Sequence, residues 1–279
     1  MIEIGRTQEM QVLRKVHNGL RLGTEEDNIL LPKLYAPRDA EVGSWVEVFV
    51  YTDSEDLPIA TTLKPYGQVG DIVCLKVVDI TPHGAFLDWG LPKDLLVPFA
   101  RQHRPLQLND RVVVGIGLHE STGRVIASST LRGYFDDDVS RLSQGDRVRL
   151  MVYSFNDLGA LVVVNGRHAG LIFRDRIYRR LMYGEELDGY ILQVRDDRRL
   201  DITLQRIGRG GNDDAEQVIL DALHAGDGWL ALHDKSPPDA IRRKLQMSKK
   251  AFKRAVGSLF RRRIIELVDQ GIRLVNNAD

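Results

Sequence analysis

The sequence has a single cysteine, Cys74, in 279 residues. An intrachain disulfide is therefore excluded, and a cysteine-based zinc site has no ligands. One thiol suits a reducing compartment. No run of ~18 consecutive apolar residues occurs, so no membrane-spanning helix is expected. The opening Met1-Ile2-Glu3-Ile4-Gly5-Arg6 lacks the basic head and apolar stretch of a secretory leader, and cytoplasmic localisation is the expectation. An excess charge of one sign is missing too: Lys and Arg number 39, Asp and Glu 39, for a formal net charge of zero. Net charge thus selects no partner, and a polyanion site must come from local segregation of charge.

Catalytic signatures are also lacking. There is no phosphate-binding loop, and Gly208-Arg209-Gly210-Gly211 has no strand and helix placed to make a dinucleotide fingerprint. It reads as a hinge. His119-Glu120 is not followed by a second histidine at zinc-protease spacing. Asp136-Asp137-Asp138 reads as a solvated connector, and nothing beside Cys74 would activate its thiolate. No metal, no cofactor and no enzymatic activity are expected.

Hydrophobic residues at 43% and charged residues at 28% describe a folded chain. Three segments repeat one pattern: two β-type runs about a glycine turn, an apolar tetrad, and a closing hairpin. The middle copy is clearest. It runs from Val69 to Val78, through Pro82-His83-Gly84-Ala85-Phe86-Leu87-Asp88-Trp89-Gly90 to the tetrad Leu95-Leu96-Val97-Pro98, and closes at Val125-Ile126-Ala127. The third copy has Leu158-Gly159-Ala160-Leu161, the tetrad Gly170-Leu171-Ile172-Phe173 and a hairpin turned at Asp196-Asp197. The first is faintest, with Gly19-Leu20-Arg21-Leu22, Ile29-Leu30-Leu31-Pro32 and Ile59-Ala60. Period-two alternation with Val and Ile marks strands, and Gly, Asn and Asp mark turns. Five short strands in roughly 65 residues is the size of an OB-type barrel.

Beyond Gly211 the spacing becomes helical. Asp213 or Asp214 can cap a first helix, Ser236 a second, and Ser248 a third with Phe252, Val256, Leu259 and Phe260 inward. Ile264 to Val275 reads as a two-stranded ribbon about Asp269-Gln270-Gly271. This order is that of a winged helix. The expected fold is therefore multidomain and mainly β: three small OB-type barrels in tandem, at 1–63, 64–132 and 141–207, followed by an α+β winged-helix domain at 212–277.

Strand alternation in the middle copy puts Leu87 and Trp89 on one face and Phe86 and Asp88 on the other. With Leu87 and Trp89 filling the barrel, Phe86 becomes a surface ring on which a base can stack, with His83 in the adjoining turn. The alternative is that Phe86 covers another domain and His83 merely turns the chain. Lys93 and Arg101, which bracket the tetrad, complete the candidate set of this barrel, and Phe173, Arg174 and Arg176 form that of the third.

The run Asp79-Ile80-Thr81-Pro82-His83-Gly84-Ala85-Phe86-Leu87-Asp88 resembles the core of the RNA-binding domain named after ribosomal protein S-one. In that family an aromatic precedes Gly-Ala-Phe, a histidine follows the tetrad, and the three rings face RNA. Here His83 and Phe86 match the first two, and Pro98 stands for the histidine; the third copy has Leu158, Leu161 and Phe173, and the first keeps no aromatic. The first barrel is accordingly expected to be a structural or protein-contact module. Three such barrels before a winged helix resemble the conserved virulence factor B proteins of bacteria. So does the tract Val50-Tyr51-Thr52-Asp53-Ser54-Glu55-Asp56 followed by Ile59-Ala60-Thr61-Thr62. The resemblance implies a cytoplasmic RNA-binding protein that regulates other genes without catalysis.

Between Ile241 and Ile265 stand Arg242, Arg243, Lys244, Lys249, Lys250, Lys253, Arg254, Arg261, Arg262 and Arg263, with no acid among them. Lys250, Lys253 and Arg254 share one helical face opposite the apolar stripe. Such clustering is an electrostatic footprint for phosphates. Single-stranded RNA is the expected partner. A transcription regulator on duplex DNA and a scaffold on ribosome or polymerase are the alternatives.

Overall fold

A computed structural model describes residues 2–53, 55, 57–206 and 210–275, with the backbone alone for 210–214. The chain packs as two compact units, residues 1–135 and 136–279.

The first unit holds two barrels. β1 (Thr7–Val16), β2 (Gly19–Gly23), β3 (Asn28–Pro32), β4 (Trp45–Thr52) and β5 (Pro58–Thr61) close in the order β1-β2-β3-β5-β4. All neighbours are antiparallel except β3 and β5, which meet in parallel at Leu30 and Ile59. The second barrel repeats the succession with β6 (Ile72–Thr81), β7 (Gly84–Asp88), β8 (Leu95–Pro98), β9 (Arg111–Leu118) and β10 (Val125–Ser128). Its sheet runs β10-β9-β6-β7-β8 and stays open between β8 and β10, where the Ser129 N–H and the Ser128 hydroxyl instead donate to the Arg101 carbonyl.

β4 is buried on both faces over most of its length, which simple alternation does not foretell. Val46, Val48 and Val50 enter the core of the first barrel. Phe49 and Tyr51, pointing the other way, enter that of the second. There the Phe49 ring meets Trp89 edge-on at 5.6 Å and Tyr51 meets it at 6.5 Å. β4 thus lends side chains to two cores, and the burial of three aromatic side chains, of the class that dominates core energetics, joins it to the second barrel.

The second unit opens with a closed barrel of β11 (Arg147–Phe155), β12 (Gly159–Val164), β13 (His168–Phe173), β14 (Glu186–Val194) and β15 (Leu200–Thr203), ordered as the first. After it come α1 (Gly210–Ala225), β16 (Trp229–Leu230), α2 (Pro238–Leu245), α3 (Lys249–Arg261), β17 (Ile265–Val268) and β18 (Gly271–Leu274). Ile219, Leu223, Ile241, Leu245, Phe252, Val256 and Leu259 pack under the ribbon residues Ile265 and Ile272. The fold is that expected, three OB-type barrels and a winged helix.

Several local expectations need correction. The wing sheet has three strands, β16-β18-β17; a two-residue strand is too short to show alternation. α1 starts at Gly210, ahead of both proposed aspartate caps, whose side chains lie outside the described residues, as do Gly208 and Arg209 of the glycine linker. Ser236 does not cap α2. Its buried hydroxyl accepts the His233 N–H and closes a preceding turn, and Pro237 occupies the cap. Ser248 does cap α3, accepting the Ala251 N–H at 3.1 Å. Phe260 is exposed rather than inward, because Leu259 already fills the core at that turn.

Candidate nucleic-acid interface

One glycine per barrel fixes the candidate face. Gly19, Gly84 and Gly159 have φ of +150°, +146° and +155°, and a Cβ on any of them would overlap the carbonyl oxygen of Leu31, Val97 or Ile172. Only glycine allows this close approach of β2 to β3, and of the matching strands in the other barrels. Each barrel also has a bulge in its first strand, between Val12 and Arg14, Val77 and Asp79, or Val152 and Ser154. Glycine and bulge put the same positions outward three times over.

In the second barrel Leu87 and Trp89 are buried and Phe86 faces out, half-buried, opposite Asp79 on β6 and Leu96 on β8. The alternation reading is correct here. His83 is exposed in the turn, held by its N–H to the Thr81 hydroxyl. Pro98 pairs with Gly84 across the ladder, and the next residue, Phe99, is 53% exposed. The surroundings are acidic. Burial raises the Asp94 carboxyl from the ordinary aspartate value, and the charges of Asp88 and Asp79 push it the same way.

Two candidates of this barrel serve elsewhere. The Lys93 ammonium donates to the Asp53 carbonyl of the first barrel, while its own carbonyl accepts the Trp89 indole N–H at 2.6 Å. It ties the seam between barrels. Arg101 hydrogen-bonds Tyr134, whose ring lies over β9 where Gly115 and Gly117 leave room for it.

In the third barrel Leu161 and Phe173 stand half-buried at the matching places, with Phe173 opposite Gly159. Leu158 is exposed in the turn. Arg174 is exposed and reaches back 3.5 Å to the Asn156 carbonyl; Arg176 is half-buried two residues on. Phe155, which the sequence reading did not select, is 49% exposed and faces Ala160. The signal was available: Phe155 and Ile80 both stand four residues before the turn glycine.

On the winged helix Lys250, Lys253, Arg254 and Arg261 are exposed on α3, while Ala251, Phe252, Ala255, Val256 and Leu259 are buried. Lys244 and Arg243 end α2, where the Arg243 Nε reaches the Asp239 carbonyl at 3.4 Å. Arg263, also exposed, turns the chain with φ +57°. The ten cations do not form one uniform set. Arg262 donates at 2.6 Å to the buried Glu216 of α1, an acid that the local sequence window could not reveal. Arg242 lies 5.8 Å above the Tyr178 ring of the third barrel. Lys249 is half-buried at the helix start.

Residues 217–274 match the CvfB-like winged helix domain and residues 4–63 the S1 domain. The chain carries an S1 domain and a CvfB-like winged helix. It is 26% identical over 236 residues to conserved virulence factor B of Staphylococcus epidermidis, covering 82% of this chain and 79% of that one. It is 28% identical over 253 residues to the uncharacterized protein YitL of Bacillus subtilis, covering 87% and 84%. A solved multidomain protein with nucleic acid binding domains from Streptococcus pneumoniae is 22% identical, with a TM-score of 0.47 over 98% of this chain and 99% of that one. The S1 match falls on the barrel whose repeat is faintest in sequence. In that S1 domain the three ring positions hold Asn18, Arg21 and Pro32, none of them aromatic.

Proposed function

We propose that this chain is a non-catalytic RNA-binding protein of the cytoplasm that regulates expression of other genes after transcription. Single-stranded RNA would lie across the outward faces of the second and third barrels, and the winged helix would hold its phosphates. The observation that carries this reading is the repeated face. At positions set by Gly84 and Gly159, it presents His83, Phe86 and Phe99 in one barrel and Phe155, Leu158, Phe173 and Arg174 in the next. Exposed rings on OB-type strands are stacking platforms for unpaired bases, worth about 1–3 kcal/mol per base. The exposed cations of α3 supply a charge term without base readout. The regulatory role is the one that the resemblance to the conserved virulence factor B proteins implies, and similarity to that protein runs along most of the chain.

Duplex DNA is the second reading, favoured by the exposed basic face of α3 in a winged-helix setting. Fluorescence anisotropy with single-stranded RNA, single-stranded DNA and duplex DNA across a salt series separates them. Tight, salt-dependent binding to single-stranded RNA is expected. Preference for duplex would move the function to transcription, and no binding to any of the three would reject both.

A further inference from the structure

The first barrel carries no ring where the other two present theirs, but it exposes one on a different side. Trp45, the first residue of β4, is 65% exposed. Alternation along β4 puts Trp45, Glu47 and Phe49 on one side, and register sets Gln11, Glu9 and Thr7 of β1 against them in that order. Phe49 enters the core of the second barrel, so this side of β4 leaves the seam between the barrels and runs out into solvent at Trp45. Beside it the linker of residues 62–71 borders a cavity of about 300 Å³, whose lining includes Thr7, Glu47, Leu63, Lys64, Tyr66 and Asp71. Tyr66 is 62% exposed there, and Leu63 is exposed too.

We propose that this side of the first barrel docks a basic segment of a partner protein, with an arginine laid on Trp45 and held by Glu9 and Glu47, and apolar side chains of the segment in the cavity beside Tyr66. The inference is independent of the RNA-binding reading, and it gives a partner to the barrel that the sequence reads as a structural or protein-contact module.

Three observations carry it. The first is the ring itself. Tryptophan is the side chain over which cations sit best, and Trp and Tyr are the residues that anchor protein interfaces. The second is charge. Glu9 and Glu47 are directly opposed on neighbouring strands, where like charges are destabilising and a cation set between them relieves the repulsion. Lys64 lies 3.6 Å from Glu47, but both side chains are well exposed, and such a pair is weak enough to yield to an incoming arginine. Glu9 has no cation at ion-pair distance among the described residues. The third is topology. The barrel is closed, so no strand edge is free to pair with a partner, and recognition falls to side chains. Charge also decides the class of partner. A nucleic acid would bring phosphates against Glu9, Glu47 and Asp71, with Lys64 to offset them and Arg6 beside Gly70, beyond Thr7 at the end away from Trp45. A basic protein segment brings the complementary sign.

The test uses the full chain and a fluorescein-labelled peptide in which arginine alternates with leucine; the same peptide with glutamate in place of arginine is the control. Anisotropy should show binding of the arginine peptide that weakens as salt rises, and no binding of the glutamate peptide. Trp45→Ala should weaken the arginine peptide about tenfold, as loss of an interface anchor does. The double variant Glu9→Gln, Glu47→Gln should weaken it severalfold and flatten its salt dependence. Both variants should keep the melting temperature and the RNA affinity of the wild type, since all three side chains are exposed and none belongs to the proposed RNA face. A wild type that does not bind the arginine peptide near physiological salt overturns the proposal. So does binding that the folded variants leave unchanged. Variants that lose RNA together with the peptide give this side to the strand and overturn it. Sedimentation velocity covers the remaining occupant: self-association of the wild type that Trp45→Ala abolishes makes a second copy the partner, and overturns it as well.

Discussion

The second barrel and the winged helix have opposite surface chemistries. The barrel sets Phe86, His83 and Phe99 among the carboxylates Asp79, Asp88 and Asp94. The winged helix sets Lys250, Lys253 and Arg254 over an apolar stripe, and the buried acid Glu216 is held by Arg262. A ring gains by contact with a base and is nearly indifferent to salt. A cation gains by releasing counterions and weakens as salt rises. The two regions should therefore be separable by salt, which a chain of zero net charge would not suggest.

The strongest way to break the comparison is to reverse the helix. Lys250→Glu, Lys253→Glu and Arg254→Glu together should weaken RNA binding by about a hundredfold near 0.1 M salt and lower the salt slope by about 2. Anisotropy titrations from low to high salt check this. A variant that keeps wild-type affinity and slope would show that α3 is out of contact with the strand.

Next in size is Phe86→Ala. Loss of one stacked base should weaken binding about tenfold with an unchanged slope. If the slope moves with the affinity, Phe86 is not a stacking residue and the contrast with α3 collapses. Its half-burial makes a melting curve necessary, because a destabilised barrel would imitate lost contact. Phe155→Ala, on the third barrel, should follow the same pattern with a smaller loss of about threefold, since Leu161 rather than a ring stands beside it.

Much of this arrangement is legible in the sequence, for definite reasons. Period two shows Leu87 and Trp89 in and Phe86 out, because that strand has one wet face. The same rule misjudges β4, where Phe49 and Tyr51 face a second core instead of solvent; a neighbouring barrel is a non-local fact. The cap at Ser248 is local and reads correctly, whereas Ser236 has a competing N–H from His233 close by in the chain. The cations of the winged helix are visible as a run, but the partners of two of them, Glu216 and Tyr178, come from elements far along the chain. Lys93 and Arg101 look free for the same reason, and the structure gives them to Asp53 and Tyr134. The first barrel is the instructive case. A search for rings finds nothing there, and only the register shows that Asn18, Arg21 and Pro32 hold the matching positions.

The smallest effect sharpens the comparison most, because it should run in the opposite direction. The carboxylates around Phe86 repel the phosphates of any strand stacked on it. The Asp94 carboxyl is raised from its ordinary value by burial and by Asp88 and Asp79, so it takes up a proton at higher pH than an ordinary aspartate. As the pH falls, this negative charge is therefore lost before that of an ordinary aspartate, and affinity should rise. Asp94→Asn removes the same charge at neutral pH. It should tighten RNA binding by about twofold, in keeping with the modest strength of exposed charge interactions. The variant should also lose the part of the acid-side gain that belongs to Asp94. Combined with Phe86→Ala, it should have no effect, since the carboxylate then repels a strand no longer held against this face. An Asp94→Asn gain that survives removal of the ring would place the strand elsewhere on the barrel, and the second barrel would then contribute, like the winged helix, by charge alone.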